Sequence, residues 1–169
     1  MNLIGIDCGV HCGWASCNGG HVESGVQVFD TKRGESPGMR FLRFRRFLSE
    51  LCALVQPALL VYEQAHHRGG AATELLVGMT TRVQETAAEL GIEHQGVHSG
   101  TLKKWATGRG DASKADMVAA ARERCAVDVG DDNEADALLL MAWAREQFTA
   151  GPPAAPMAAT FDESTERGH

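Results

Sequence analysis

Nothing in this chain of 169 residues approaches the roughly 20 consecutive apolar residues that a membrane-spanning helix needs. The N-terminus also lacks the basic-then-apolar pattern of an export signal. The expectation is a cytoplasmic protein with no membrane partner. Cysteines are few and odd in number (Cys8, Cys12, Cys17, Cys52 and Cys125), which reads as reduced thiols rather than a disulfide framework. Cys8, Cys12 and Cys17 with His11 and His21 nearby raise the question of zinc. Structural zinc sites draw their ligands from tight pairs. Here the spacing is loose and falls on two strands whose side chains alternate between faces, so these cysteines read as small buried hydrophobes.

A surplus of positive charge is also missing: the net charge is −6. Residues 1–150 carry 15 Lys and Arg against 19 Asp and Glu, and residues 151–169 carry one Arg against Asp162, Glu163 and Glu166. Such a balance neither argues for a nucleic-acid partner nor vetoes one, because distribution matters more than the sum. The cations bunch at Arg40, Arg43, Arg45 and Arg46, and again at Lys103, Lys104, Arg109 and Lys114.

What the chain does have is carboxylates in unexpected places. Asp7 lies inside Leu3-Ile4-Gly5-Ile6-Asp7-Cys8-Gly9, and Glu63 ends Ala58-Leu59-Leu60-Val61-Tyr62-Glu63. Asp136 sits in Asp131-Asp132-Asn133-Glu134-Ala135-Asp136-Ala137, at the head of an apolar helical run. A charge at the tip of a buried strand costs free energy unless something pairs with it. Any one of these acids alone reads as a strand end or a helix cap. The three together point to a shared partner, and a hard divalent cation that takes oxygen ligands is the simplest.

The periodicity orders the elements. Residues 2–8, 12–18 and 21–29 read as strands, the last two joined by the hairpin signal Asn18-Gly19-Gly20. From Met39, apolar residues at 41, 44, 48, 51 and 55 predict a helix that Pro57 stops. A fourth strand over 58–63, a loop at His66-His67-Arg68-Gly69-Gly70 and a helix over 71–90 with Gly91 as C-cap follow. Ile92 to Val97 is a fifth strand. Ser99 and Ser113 are expected to cap helices near 100–106 and 114–125, and the last helix runs from about 133 to 148. The Pro-rich residues 151–169 have no period and are expected to form a disordered tail after a single domain, 1–150. This order predicts an α/β fold, a five-stranded mixed sheet flanked by helices.

Four segments carry a resemblance: Ile4-Gly5-Ile6-Asp7-Cys8-Gly9, Val61-Tyr62-Glu63-Gln64, Leu102 to Lys114 (with Lys103, Gly108-Arg109-Gly110 and Lys114) and Asp132 to Leu138. In these the chain resembles the ribonuclease-H-like nucleases, and within them the RuvC-type Holliday junction resolvases, particularly the short phage-type members. The resemblance implies a crossover junction endodeoxyribonuclease that resolves four-way DNA by paired symmetric hydrolysis using two Mg²⁺ ions, with Mn²⁺ able to substitute. It implies that Asp7 bridges both ions, that Glu63 holds one and that Asp136 holds the other. Bacterial members have two aspartates three apart at the last site, where this chain has Asn133 and Asp136. Asp132, four before Asp136, shares its helical face and is taken as the fourth ligand; Asn133 remains an alternative, and an N-cap role for Asp131 or Asp132 another. Lys103 and Lys114 match lysines presented to the scissile phosphate, with Lys104 and Arg109 beside them. Arg40, Arg43 and Arg46 track a DNA arm or form a solvated face, and His66, His67 and Arg68 reach the junction or are merely exposed. The implied assembly is a homodimer on branched DNA, with the 71–90 helix and its Gly78 as the candidate seam. A hybrid-cleaving ribonuclease H and a non-catalytic junction binder are the rivals; an actin-like ATPase would need a duplicated domain.

Overall fold

In the computed structural model, residues 1–65 and 69–149 are described; the expectations for His66, His67, Arg68 and the 151–169 tail lie outside the described residues. Five strands form in chain order: β1 (Leu3–Asp7), β2 (His11–Asn18), β3 (His21–Val28), β4 (Leu59–Glu63) and β5 (Glu93–Val97). They build one sheet in the order β3-β2-β1-β4-β5. β1–β2 and β2–β3 are antiparallel, while β1–β4 and β4–β5 are parallel. The expected mixed sheet is present. Gly19 and Gly20 make the β2–β3 turn with φ of +59° and +93°, a conformation glycine adopts without the Cβ penalty.

Alternation along the strands splits the apolar residues into two cores. Ile4, Ile6, Leu60 and Tyr62 face α1 (Gly38–Val55) and α2 (Ala71–Leu90). Leu3, Ala15, Leu59 and Val61 face α3 (Ser99–Thr107), α4 (Lys114–Cys125) and α5 (Asp132–Thr149). Cys8 and Cys12 belong to the first core and Cys17 to the second. The three cysteines therefore straddle the sheet and do not form a zinc set.

Several predicted boundaries hold for the predicted reason. Gly91 closes α2 in the left-handed region with φ of +66°. Ser113 caps α4 in a reciprocal pair with Asp116. Ser99 does not cap α3: His98 occupies that place without a side-chain bond, and Ser99 is the first helical residue. Gly78 also differs from the expected seam. A Cβ there would stand 2.5 Å from the Phe41 ring of α1, so its missing side chain seats α1 against α2 within one chain.

Candidate active site

The alternation that divides the cores also aims the acids. Leu3, Gly5 and Asp7 share one face of β1, and Leu59, Val61 and Glu63 share the same face of β4. Ile6 of β1 pairs in parallel with Tyr62 of β4, so the next residues, Asp7 and Glu63, end neighbouring strands side by side. Both point toward α5, at the carboxyl ends of parallel strands where α/β sheets open a crevice.

The strands have been thinned to let α5 approach. A Cβ on Gly5 would come within 2.4 Å of the Ala137 carbonyl oxygen, and one on Gly13 within 1.9 Å of the Asn133 carbonyl oxygen. The first turn of α5 is held from the far side too, because Ser24 of β3 donates a 2.7 Å hydrogen bond to Glu134. The cap of α5 is Asp131, whose Oδ1 accepts from the backbone of Asn133 and Glu134 at 2.9 and 3.2 Å. That frees Asp132 from capping. Asp132 and Asp136, one turn apart, come down on the acids of β1 and β4.

The result is a cleft of about 340 Å³ lined by Asp7, Glu63, Asp132, Asn133 and Asp136, with Lys103 and Lys114 among its walls. Burial drives the Asp7 carboxyl well above the usual carboxylate range, and Asp136, Glu63 and Asp132 push it further. Asp136 is pushed up to about 7, by burial first and then by Glu63 and Asp132. Asp132 moves the opposite way, because Lys114 donates a hydrogen bond to its carboxylate. The same pair raises the Lys114 ammonium.

Two observations bear on a metal. Asp136 Oδ1 is buried without a hydrogen-bond partner, a condition that an oxygen-seeking cation relieves. Yet among the described residues no three His, Cys, Asp or Glu side chains close around a single ion position. The donor chemistry fits a hard cation, and the Lys114 ammonium lies against Asp132.

The remaining predicted residues divide. Lys103, partly buried on α3, faces the acids and draws the Asp136 carboxyl back down. Lys104 is turned elsewhere, into a depression with His98, Thr101 and Trp105. Arg109 pairs with Asp116 at 3.0 Å and Asp111 at 3.9 Å. Arg40 donates to the Phe29 carbonyl at 2.8 Å, and Arg43 to the Asp30 carbonyl at 3.0 Å and to Glu35. Both therefore tie the β3–α1 connection to α1, a role the sequence reading did not foresee. Cys8 and Ser99, read as a core thiol and a cap, also line the cleft. The Cys8 thiol is held well above its ordinary range by burial, Cys12, Asp7 and Glu63, so it stays protonated. Among the described residues no helix is long and apolar enough to cross a membrane.

No protein-family model and no curated protein sequence matches the chain. Solved structures do. Thermus thermophilus RuvC aligns with a TM-score of 0.70 at 21% identity, over 87% of this chain and 97% of that one. T. thermophilus RuvC in complex with a Holliday junction substrate gives 0.72 at 20% identity, over 87% and 96%. The yeast mitochondrial Holliday junction resolvase Ydc2 gives 0.55 at 15% identity, over 86% and 79%. With its acids at the ends of β1 and β4 and at the head of α5, the chain has the ribonuclease-H-like fold in the form that RuvC takes.

Proposed function

We propose that this protein is a metal-dependent endonuclease that resolves four-way and related branched DNA by paired, symmetric phosphodiester hydrolysis. The observation that carries the proposal is the convergence of Asp7, Glu63, Asp132 and Asp136, from three separate elements, on one cleft walled by Lys103 and Lys114. A buried cluster of like charges raises its own carboxyl pKa values and destabilises the chain that holds it. Such a cluster is explained by a cation and a phosphate that use it. The branched substrate is supported by the likeness to a RuvC solved with a Holliday junction.

Asp7, Glu63, Asp136 and Asp132 would be the residues that hold the Mg²⁺ ions. Asn133 lines the same wall and is the alternative to Asp132. When bound, the ions supply activation of the attacking water and charge stabilisation at the scissile phosphate. The protein's own part is orientation and counter-charge. Gly5 and Gly13 set the depth of α5, Ser24 and Glu134 fix its first turn, and the lysines neutralise phosphate as charge builds. Two symmetric cuts require two centres, so the working unit would be a two-fold homodimer.

The test is incubation of labelled four-way junction, flap, duplex and RNA/DNA hybrid with the protein in Mg²⁺. Paired symmetric nicks on the junction are expected. Cleavage confined to the hybrid would favour a ribonuclease H, and binding of the junction without any cutting would favour a non-catalytic binder.

A further inference from the structure

Lys114 presents a contradiction. Its side chain is 85% exposed, on the first residue of α4, yet its ammonium reaches across to Asp132 at the head of α5. An exposed lysine loses rotamer freedom when held in one geometry, and an exposed ion pair returns little for it. The attraction here has an added source, since Asp7 and Asp136 also favour the charged ammonium. The Lys114 ammonium rests against one acid of a cleft that holds four.

The orphaned Asp136 Oδ1 shows what that charge does not reach: this one buried oxygen keeps no hydrogen-bond partner. The absence of any three-ligand convergence among the described residues fits the same picture. With one of its outer oxygens given to an ammonium, Asp132 is not available to close the site.

We infer that Lys114 is a displaceable stand-in for a metal ion, holding Asp132 until a cation takes its place and then turning to the DNA phosphate. This deepens the nuclease reading and rests on it. Three consequences follow from the geometry. Cation binding on the Asp132 side has to break an ion pair first, which weakens it in the DNA-free protein. A phosphate that draws Lys114 away clears Asp132, so phosphate and cation reinforce each other's binding by the same factor, as linkage requires. The exposure of the pair makes this a readily exchanged contact rather than a lock, so the penalty on the cation is roughly two- to fivefold in affinity, in the range of exposed ion pairs.

The test is calorimetric titration of Mg²⁺, and separately Mn²⁺, into the DNA-free full chain. Lys114→Gln is compared with Lys103→Gln, which removes the same charge from the same cleft without touching Asp132. Lys114→Gln is expected to tighten the cation about two- to fivefold and by clearly more than Lys103→Gln does, while Lys114→Arg, which keeps the pair, stays close to the wild type. Equal tightening by the two Gln variants would overturn the inference, because general electrostatics would then account for it. So would a Lys114→Gln protein that is folded by circular dichroism and binds no tighter than wild type. Failure of the nuclease reading looks different: the wild type would show no cation binding that Asp7→Asn removes.

Discussion

Gly13 of β2 lies directly under the Asn133 carbonyl of α5, at a distance that leaves no room for a methyl group. The contact sets how far the head of α5 sinks toward the sheet. It thereby sets where Asp132 and Asp136 stand relative to Asp7.

Gly13→Ala is expected to lower stability by roughly 1–3 kcal/mol, the usual cost of overpacking. It should also reduce cleavage by more than the loss of folded protein explains, because it lifts two of the four acids. Chemical denaturation alongside single-turnover rates checks both. A destabilised variant with wild-type turnover would show that the depth of α5 does not control the site.

Asp7→Asn, Glu63→Gln and Asp136→Asn should each abolish metal-dependent cleavage while leaving junction binding intact or tighter. In EDTA at pH 8, Asp7→Asn and Asp136→Asn should also raise the melting temperature, by relieving buried like-charge repulsion. The sign follows from the raised carboxyl. In the folded state Asp136 holds its proton up to about pH 7, whereas the unfolded chain releases it near 3.8. The folded state therefore binds the extra proton, and stability falls as pH rises across that window. The gain from Asp136→Asn should accordingly shrink as pH drops below 7. A gain that is unchanged at pH 4.5 would contradict the assignment.

Asp132→Asn should be nearly as damaging to cleavage as loss of Asp136, and Asn133→Ala mild. The reverse pattern would transfer the fourth ligand to the Asn133 carbonyl oxygen. Rates across a Mg²⁺ series separate a lost ligand, which raises the metal requirement, from a disturbed helix.

Arg43 is predicted to act on folding rather than on DNA. Its bond to Glu35 holds that carboxyl down at about 2, against an ordinary value of 4.5. A lowered carboxyl contributes stability that is complete above 4.5 and is lost as pH falls toward 2. The melting-temperature difference between wild type and Arg43→Ala should therefore be largest at neutral pH and close between pH 4.5 and 2. The salt slope of junction binding should stay as in wild type, since no phosphate contact is removed. A flatter slope would restore Arg43 to a DNA-tracking role.

Sedimentation of the chain, alone and with junction, is expected to show a dimer, and deletion of residues 152–169 should not disturb it. Gly78 is used within the chain, so the seam would lie on the outward side of α2, where Thr81, Gln84 and Ala88 are exposed. Thr81→Arg should then yield a folded monomer that nicks but does not resolve. A chain that remains monomeric on saturated junction would remove the resolvase reading.

Period-2 alternation is a local property, which is why the strands and the aim of Asp7 and Glu63 were legible. Ser113 declared its cap because Asp116 sits three residues on to complete the exchange. Ser99 has Leu102 in that place and does not cap, a distinction present in the sequence and overlooked. Other features had no local signal. Ser24 meets Glu134 across 110 residues. The tie from Arg43 to the Asp30 carbonyl depends on how the β3–α1 loop folds back. Lys103 and Lys104 are adjacent in sequence, and only the phase of α3 decides which one faces the acids.

The wide separation of the acids has a consequence for the growing chain. Asp7 and Glu63 are in place once β4 joins the sheet, but Asp132 and Asp136 belong to α5, which follows all five strands in chain order. A nascent or truncated chain that ends before residue 131 carries all five strands but only half of the acids. The set of four acids is thus completed only when α5 docks on the sheet. For the same reason cation affinity reports on the whole fold. Any ligand that binds only the native state shifts the unfolding equilibrium by mass action, so Mg²⁺ should protect the strands and α5 together rather than the mouth of the cleft alone.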